Sequence, residues 1–201
     1  LIDTCYADTY DRFLNEMKKI NIKTGEIRYL LLTHHHEDHA GFAARLAEDT
    51  GCRIIAHEKA LKHLALGRSA DTMRPLNRRT RAAYSAISLV RKLEGYPSVR
   101  LSVNDIVIFG DNDTLLYELG IDGEILETPG HTADSISVLL SDGSFFAGDA
   151  AMNLLKPCGL KYRPIYAENY EEVKQSWDKL KARGARTIYP SHGTPFPSHR
   201  L

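Results

Sequence analysis

The sequence predicts an α/β fold in which two mixed β-sheets are packed between helices. Three observations lead to this prediction. An apolar run over 27–32 is followed by a polar loop, a helical segment and a second apolar run. Short strand-like segments separated by turn residues fill the stretch from residue 101 to residue 146, and helical periodicity returns near residue 169. Strands and helices that alternate in this way favour layered sheets covered by helices.

Composition narrows the class of protein. Hydrophobic residues make up 43% and charged residues 26% of the 201 residues, as is typical of a globular chain that forms one domain over 1–201. The formal net charge is zero, so we expect neither nucleic acid nor an acidic membrane as a partner. No apolar run approaches the ~20 residues that span a bilayer. Three cysteines without a C-x-x-C pair fit no disulfide framework, and we therefore expect a reducing, cytoplasmic compartment.

The predicted elements follow from periodicity and from turn residues. Up to residue 100 they are a helix over 8–20, a strand over 27–32, a helix over 40–49 that Gly51 is well placed to end, a strand over 53–56 and a helix over 79–93. After residue 100 they are strands over 105–109, 114–119, 124–127, 135–140, 144–146 and 187–189, together with a helix over 169–182.

The segment 58–100 differs in charge from the rest of the chain. Between Lys59 and Arg100 there are ten basic residues against two acidic ones. Two interpretations of this helical insertion stay open. It is either a lid that favours anionic substrates or a helix with a solvated basic face.

Four side chains of the metal-ligating type lie within six residues, directly after the strand over 27–32. His34 and His36 alternate along an extended loop, so both can reach the same ion. Asp38 and His39 follow where the chain bends into a helix, so they can reach a neighbouring ion. Imidazole and carboxylate suit zinc, iron or manganese better than calcium. A solvated polar loop is the alternative, but this density of ligand types favours a metal site.

Three later motifs share one context, in which a ligand-type side chain and a glycine follow a predicted strand. They are Thr-Pro-Gly-His at His131, Ala-Gly-Asp at Asp149 and Pro-Ser-His-Gly at His192. Glycine allows the backbone to bend closely around a bound group. One such motif alone is weak evidence, whereas the three together with the histidine loop predict a metal centre.

The motifs His-x-His-x-Asp-His, Gly-His, Gly-Asp and Ser-His-Gly, in this order, resemble those of the metallo-β-lactamase superfamily. Leu-Ile-Asp-Thr at 1–4 resembles the element that precedes them in the family, and the resemblance extends over nearly the whole chain. It implies an αββα four-layer sandwich with the metal site at one rim. It also implies two metal ions, zinc first, with iron or manganese as alternatives.

The resemblance assigns a role to each ligand. His34, His36 and His131 would hold the first metal, Asp38, His39 and His192 would hold the second, and Asp149 would bridge the two. Asp3 matches an acidic residue that supports ligands from behind.

The same resemblance implies a metal-dependent hydrolase. A hydroxide shared by the two metals would attack a small carbonyl substrate, a thioester, lactone or ester, with Asp38 as the catalytic residue that takes the nucleophile's proton. Asp149 stands where true zinc β-lactamases carry Cys or Ser, so we do not expect β-lactam hydrolysis. The glutathione-binding stretch of glyoxalase II is not recognisable over 150–161. A phosphodiesterase or nuclease with the same metals and a non-catalytic metal-binding or ligand-binding protein are the alternatives.

The start of the chain carries one further expectation. Two strands that commonly precede the Leu-Ile-Asp-Thr element in the family are not found before Leu1. We expect Leu1 and Ile2 to lie in a sheet beside the metal loop. We also expect the edge of that sheet to be covered, either by residues upstream or by a second copy in a homodimer.

Overall fold

A computed structural model gives the structure of the protein and describes residues 1–69, 72–90, 95–154 and 158–201. The chain divides into two compact units. The first unit comprises Leu1–Ala70 and Glu94–Ile108, and the second comprises Asp71–Leu93 and Phe109–Leu201.

Helices and strands alternate along the chain. The helices are α1 (Tyr10–Lys19), α2 (Glu37–Ala40), α3 (Ala43–Thr50), α4 (Leu61–Leu66), α5 (Arg78–Val90), α6 (Leu115–Glu118) and α7 (Tyr170–Ala182). The strands are β1 (Tyr29–Leu31), β2 (Arg53–His57), β3 (Arg74–Pro75), β4 (Ile106–Ile108), β5 (Gly123–Glu127), β6 (Ile136–Leu140), β7 (Ser144–Gly148), β8 (Tyr166–Ala167), β9 (Thr187–Pro190) and β10 (Phe196–Pro197). Among the described residues, none of the helices has the length and apolar character that a membrane crossing requires.

The first unit contains a parallel sheet with strand order β1-β2-β4. The helices α1 and α3 contribute Tyr10 and Leu46 to a core that also contains Leu30 and Ile54 of the sheet. The helix α3 ends as predicted at Gly51, which adopts a left-handed φ of 70°. This packing fixes the carboxyl end of β1, where the histidine loop begins.

The expectation for Leu1 and Ile2 is confirmed in part, because the pair lies against β1 through a single bridge and does not form a regular strand. Ile2 forms a parallel bridge with Leu31, whose N–H donates to the Leu1 carbonyl at 3.0 Å and whose carbonyl accepts from the Asp3 N–H at 2.8 Å. The apolar pair therefore lies beside β1. The covering of this sheet edge stays a prediction.

The second unit contains a mixed sheet with strand order β10-β9-β7-β6-β5, in which β7 and β9 are parallel and the other neighbours are antiparallel. Val173, Trp177 and Leu180 of α7 are buried in the core of this unit, as the sequence predicts. A small antiparallel sheet pairs β3 with β8. The predicted fold class, an α/β arrangement of sheets with helices packed against them, is confirmed. Of the two larger sheets, that of the second unit is mixed and that of the first unit is parallel.

The strand predicted over 114–119 is wrong. The segment forms the helix α6, because the side-chain oxygen of Asn112 accepts from the N–H groups of Thr114 at 3.2 Å and Leu115 at 2.8 Å. This capping satisfies donors at the start of the helix. The helix predicted over 79–93 is observed as α5, and residues 91–93 of that prediction lie outside the described residues.

Candidate metal-binding residues

The histidine loop of the first unit leaves β1 and enters α2 at Glu37. Its first two predicted ligands meet, with the Nε2 atom of His34 lying 3.0 Å from the Nδ1 atom of His36. The next two predicted ligands stand in the first turn of α2, where the Nε2 atom of His39 is 3.8 Å from the Oδ1 atom of Asp38. His34 and His39 are buried, whereas Asp38 is partly exposed.

Asp3 orients His39. One carboxylate oxygen, Oδ2, lies 2.7 Å from the Nδ1 atom of His39. Because a carboxylate only accepts hydrogen bonds, this ring nitrogen is the donor, and Nε2 carries the lone pair that a metal needs. This hydrogen bond is the one expected of the supporting acid that the resemblance implied.

Thr33 extends the same network to His34. The Asp3 carboxylate accepts from both the backbone N–H and the hydroxyl of Thr33, each at 2.7 Å. Since the hydroxyl gives its only proton to Asp3, it accepts from the Nδ1 atom of His34, which is 3.1 Å away. The lone pair of His34 then resides on Nε2, the atom that meets His36. Sequence reasoning gave Thr33 no role, because a threonine between a strand and a loop is common.

The predicted ligands of the second unit lie around one carboxylate. The Oδ2 atom of Asp149 lies 3.5 Å from the Nε2 atom of His131, and its Oδ1 atom lies 3.5 Å from the Nε2 atom of His192. Asp149 directly follows β7 and His192 follows β9, and the parallel pairing sets Gly148 opposite Pro190. The carboxyl ends of the two strands therefore coincide, which brings both side chains to one edge of the sheet.

The backbone of β8 orients His131. The Nδ1 atom of His131 donates to the Tyr166 carbonyl at 2.8 Å, because a carbonyl can only accept. Its Nε2 atom therefore carries the lone pair, on the side of Asp149. The preceding turn requires Gly130, since φ is 128° there and a Cβ would collide with the backbone nitrogen of Val173. Sequence patterns could not reveal Tyr166, because it contributes only its carbonyl.

The donor atoms of each unit fit a transition metal. Imidazole nitrogens and carboxylate oxygens alone make up both sets, and this chemistry suits zinc, iron or manganese. Ligand atoms around a tetrahedral zinc, with bonds of ~2.0–2.1 Å, lie about 3.3 Å apart. The separations are 3.0 Å and 3.8 Å in the first unit and 3.5 Å twice in the second. Both sets are therefore spaced as metal ligands are.

The sequence model of the metallo-β-lactamase superfamily matches residues 1–192. The chain belongs to this superfamily, as the order of its motifs predicts.

Curated relatives within this superfamily are named hydroxyacylglutathione hydrolase. The protein of that name from Rhodopseudomonas palustris strain HaA2 is 28% identical over 145 residues, which cover 72% of this chain and 41% of the relative. Its counterpart from Bradyrhizobium sp. strain BTAi1 is 28% identical over 153 residues, covering 75% of this chain and 41% of the relative. The chain thus spans less than half the length of these relatives.

Solved structures share the fold. A metallo-β-lactamase family protein from Thermus thermophilus has a TM-score of 0.67 at 20% identity, and the match covers 99% of this chain and 66% of that protein. The metallo-β-lactamase MIM-1 from Novosphingobium pentaromativorans has a TM-score of 0.63 at 22% identity, with coverage of 95% and 65%. At these identities the likeness establishes the fold and does not extend to the substrate.

Proposed function

We propose that the chain is a two-zinc hydrolase that cleaves a small carbonyl substrate, with a thioester as the preferred class. The geometry of Asp149 is the observation that carries the proposal. Its two carboxylate oxygens face two different histidines, His131 and His192, each at 3.5 Å. The motif order assigns these histidines to different metals, and a carboxylate in this position is suited to bridge them.

The proposed ligands follow the order of the family's motifs. His34, His36 and His131 hold one ion, Asp38, His39 and His192 hold the other, and Asp149 bridges. When bound, the metals supply a water of lowered pKa and polarise the oxygen of the bond under attack. The residues of the chain orient this centre: Asp3 fixes the tautomer of His39, Thr33 that of His34, and the Tyr166 carbonyl that of His131.

Asp38 is the proposed proton acceptor. Its carboxylate is 20% exposed, whereas that of Asp149 is 7% exposed, so Asp38 has the freer access to a substrate. A carboxylate that both holds a metal and is reachable from solvent is suited to accept the proton of the nucleophile.

The thioester preference rests on the relatives. Hydroxyacylglutathione is a thioester, and the hydrolases named for it match about three quarters of this chain at 28% identity. The bridging acid is Asp149, where true zinc β-lactamases carry Cys or Ser, so β-lactams are not the proposed substrate. A phosphodiesterase and a non-catalytic binding protein are the competing outcomes of the test below.

The first prediction is two zinc ions per chain and thioesterase activity. After metal repletion, elemental analysis should give about two transition metals per chain. Hydrolysis should be fastest with a small thioester, slower with lactones and at background with a phosphodiester, and a chelator should abolish it. Less than about one metal per chain would count against the site. If a phosphodiester is the best substrate, the enzyme is a phosphodiesterase and the proposed thioester reaction is wrong. If the protein binds metal but turns over none of the substrates, the non-catalytic binding protein is favoured.

The second prediction concerns substrate charge. Arg78, Arg79 and Arg81 are exposed on α5. The neighbouring strand β3 pairs with β8, whose Tyr166 carbonyl orients His131. We propose that this basic segment favours anionic substrates. Substituting the three arginines with glutamine should raise KM for an anionic thioester about three- to tenfold at low salt, with kcat little changed, because an attraction that acts equally on the bound substrate and on the transition state is lost.

Matched controls accompany this triple variant. Glutamine at Arg12, Lys18 and Lys19, which are exposed on α1 in the first unit, removes the same charge. A neutral thioester is the second control, and neither should show a KM effect. An unchanged KM for the anionic thioester would identify the basic residues as a solvated helix face.

The cellular compartment and the oligomeric state of the enzyme are also proposals. Cys5, Cys52 and Cys158 are free thiols in the structure. This agrees with the proposed reducing, cytoplasmic compartment.

A homodimer that covers the edge beside Leu1 and Ile2 is the proposed assembly, and light scattering would test it.

A further inference from the structure

His35 stands between two proposed ligands and is itself held from outside the motif. Its side chain is 2% exposed, and its ring stacks on that of His63 from α4, with centroids 4.3 Å apart and an interplanar angle of 23°. Neither histidine has a role predicted from the sequence. Because the His35 ring is buried and stacked, it restrains the position of the histidine loop on either side of it.

The backbone of His35 is held as well. The hydroxyl of Tyr96 donates to the His35 carbonyl at 2.5 Å, and Tyr96 is buried in the core of the first unit. His63 therefore holds the side chain of His35, and Tyr96 holds its main chain. These two residues lie 28 and 61 positions further along the chain.

The segment that carries Tyr96 is joined to the helix that carries His63. The N–H of Tyr96 donates to the Gly67 carbonyl at 2.9 Å, and the N–H of Val99 donates to the Leu64 carbonyl at 2.8 Å. Gly67 has a φ of 61°, and a Cβ there would collide with the Tyr96 carbonyl oxygen. His63, Gly67 and Tyr96 therefore form one structural element, which we call the bracket.

We infer that His63 and Tyr96 are positioning residues that hold the histidine loop in its metal-binding conformation. The inference rests on the proposed function, since it concerns the same ligands. His35 lies between His34 and His36, so fixing its ring and its carbonyl restrains the peptide units that carry these two histidines. Their nitrogens meet at 3.0 Å, a separation that requires the peptide units on both sides of His35 to stay in place.

Zinc affinity and hydrogen exchange of the histidine loop together test the role of the bracket. Tyr96→Phe removes one hydroxyl, His63→Ala removes the stacked ring, and His63→Phe keeps a ring. Competition with a chromophoric chelator should show about tenfold weaker zinc binding for Tyr96→Phe and His63→Ala, in the range typical of residues that support metal ligands, and recovery in His63→Phe. Hydrogen exchange of the metal-free proteins should be faster over residues 35–40 in the first two variants.

The control is Tyr117→Phe, because this tyrosine is 77% exposed and lies in the second unit. It should change neither measurement. Zinc affinity and exchange that are unchanged in Tyr96→Phe and His63→Ala would overturn the inference. Weak zinc binding in His63→Phe equal to that of His63→Ala would overturn the role of the stacked ring. A wild-type protein that binds no zinc would instead overturn the proposed function, while faster exchange in the variants would still support the bracket.

Discussion

Asp149→Ala is expected to abolish hydrolysis and to lower the zinc content by at least one ion per chain, while the protein stays folded. The carboxylate is 7% exposed and faces His131 and His192 at 3.5 Å. Alanine removes the proposed bridging ligand and leaves two histidines beside an enlarged space. The core of the second unit does not include Asp149, so the fold should persist.

Activity on the best thioester, elemental analysis and circular dichroism check this expectation on one preparation. The matched control is Asp178→Ala, since this aspartate is exposed on α7, where it forms an ion pair with Lys181 at 3.0 Å. It should keep full activity. Wild-type turnover in Asp149→Ala would remove this residue from the site.

Asp3→Asn is expected to weaken zinc binding about ten- to a hundredfold, the range typical of residues that support metal ligands. Asp3 accepts from the Thr33 N–H, the Thr33 hydroxyl and the His39 ring, each at 2.7 Å. An amide of the same shape has one accepting oxygen, so it cannot satisfy all three donors. Asparagine also tolerates the left-handed φ of 54° at this position, which alanine would not.

Chelator competition measures this loss, and Asp8→Asn is the control because Asp8 is exposed and close in the chain. Zinc affinity at the wild-type level in Asp3→Asn would show that the ligand histidines are oriented without Asp3. A loss of the same size in Asp8→Asn would mean that the effect is not specific to the network.

The sequence allowed prediction of those features that depend on local patterns. Apolar runs placed β1 and β2, and the position of Gly51 correctly ended α3. The ligand types were found because histidine and aspartate recur directly after strands. The prediction of a strand over 114–119 was wrong because the apolar residues of this segment suit either a strand or a helix. The hydrogen bonds that the Asn112 side chain accepts at the start of the helix depend on one side-chain orientation, which the sequence does not reveal.

The supporting contacts could not be predicted for a different reason. Tyr166 contributes a carbonyl, which every residue possesses, and Tyr96 reaches a carbonyl 61 residues away. Such contacts depend on the tertiary arrangement and leave no periodicity in the sequence. Asp3 was identified because the family motif includes it, whereas its link to His34 through Thr33 required coordinates.

The contacts of Asp3 also constrain the order of folding. Asp3 meets Thr33 across 30 residues and His39 across 36 residues, so its network forms only after a long loop has closed. Closing a loop of this length costs chain entropy before the contacts of Asp3 compensate for it. Contacts between residues far apart in the sequence therefore slow folding. During refolding, the tautomers of His34 and His39 are therefore set only once Leu1 and Ile2 have docked on β1. We therefore expect high-affinity zinc binding at the proposed site to follow this docking step.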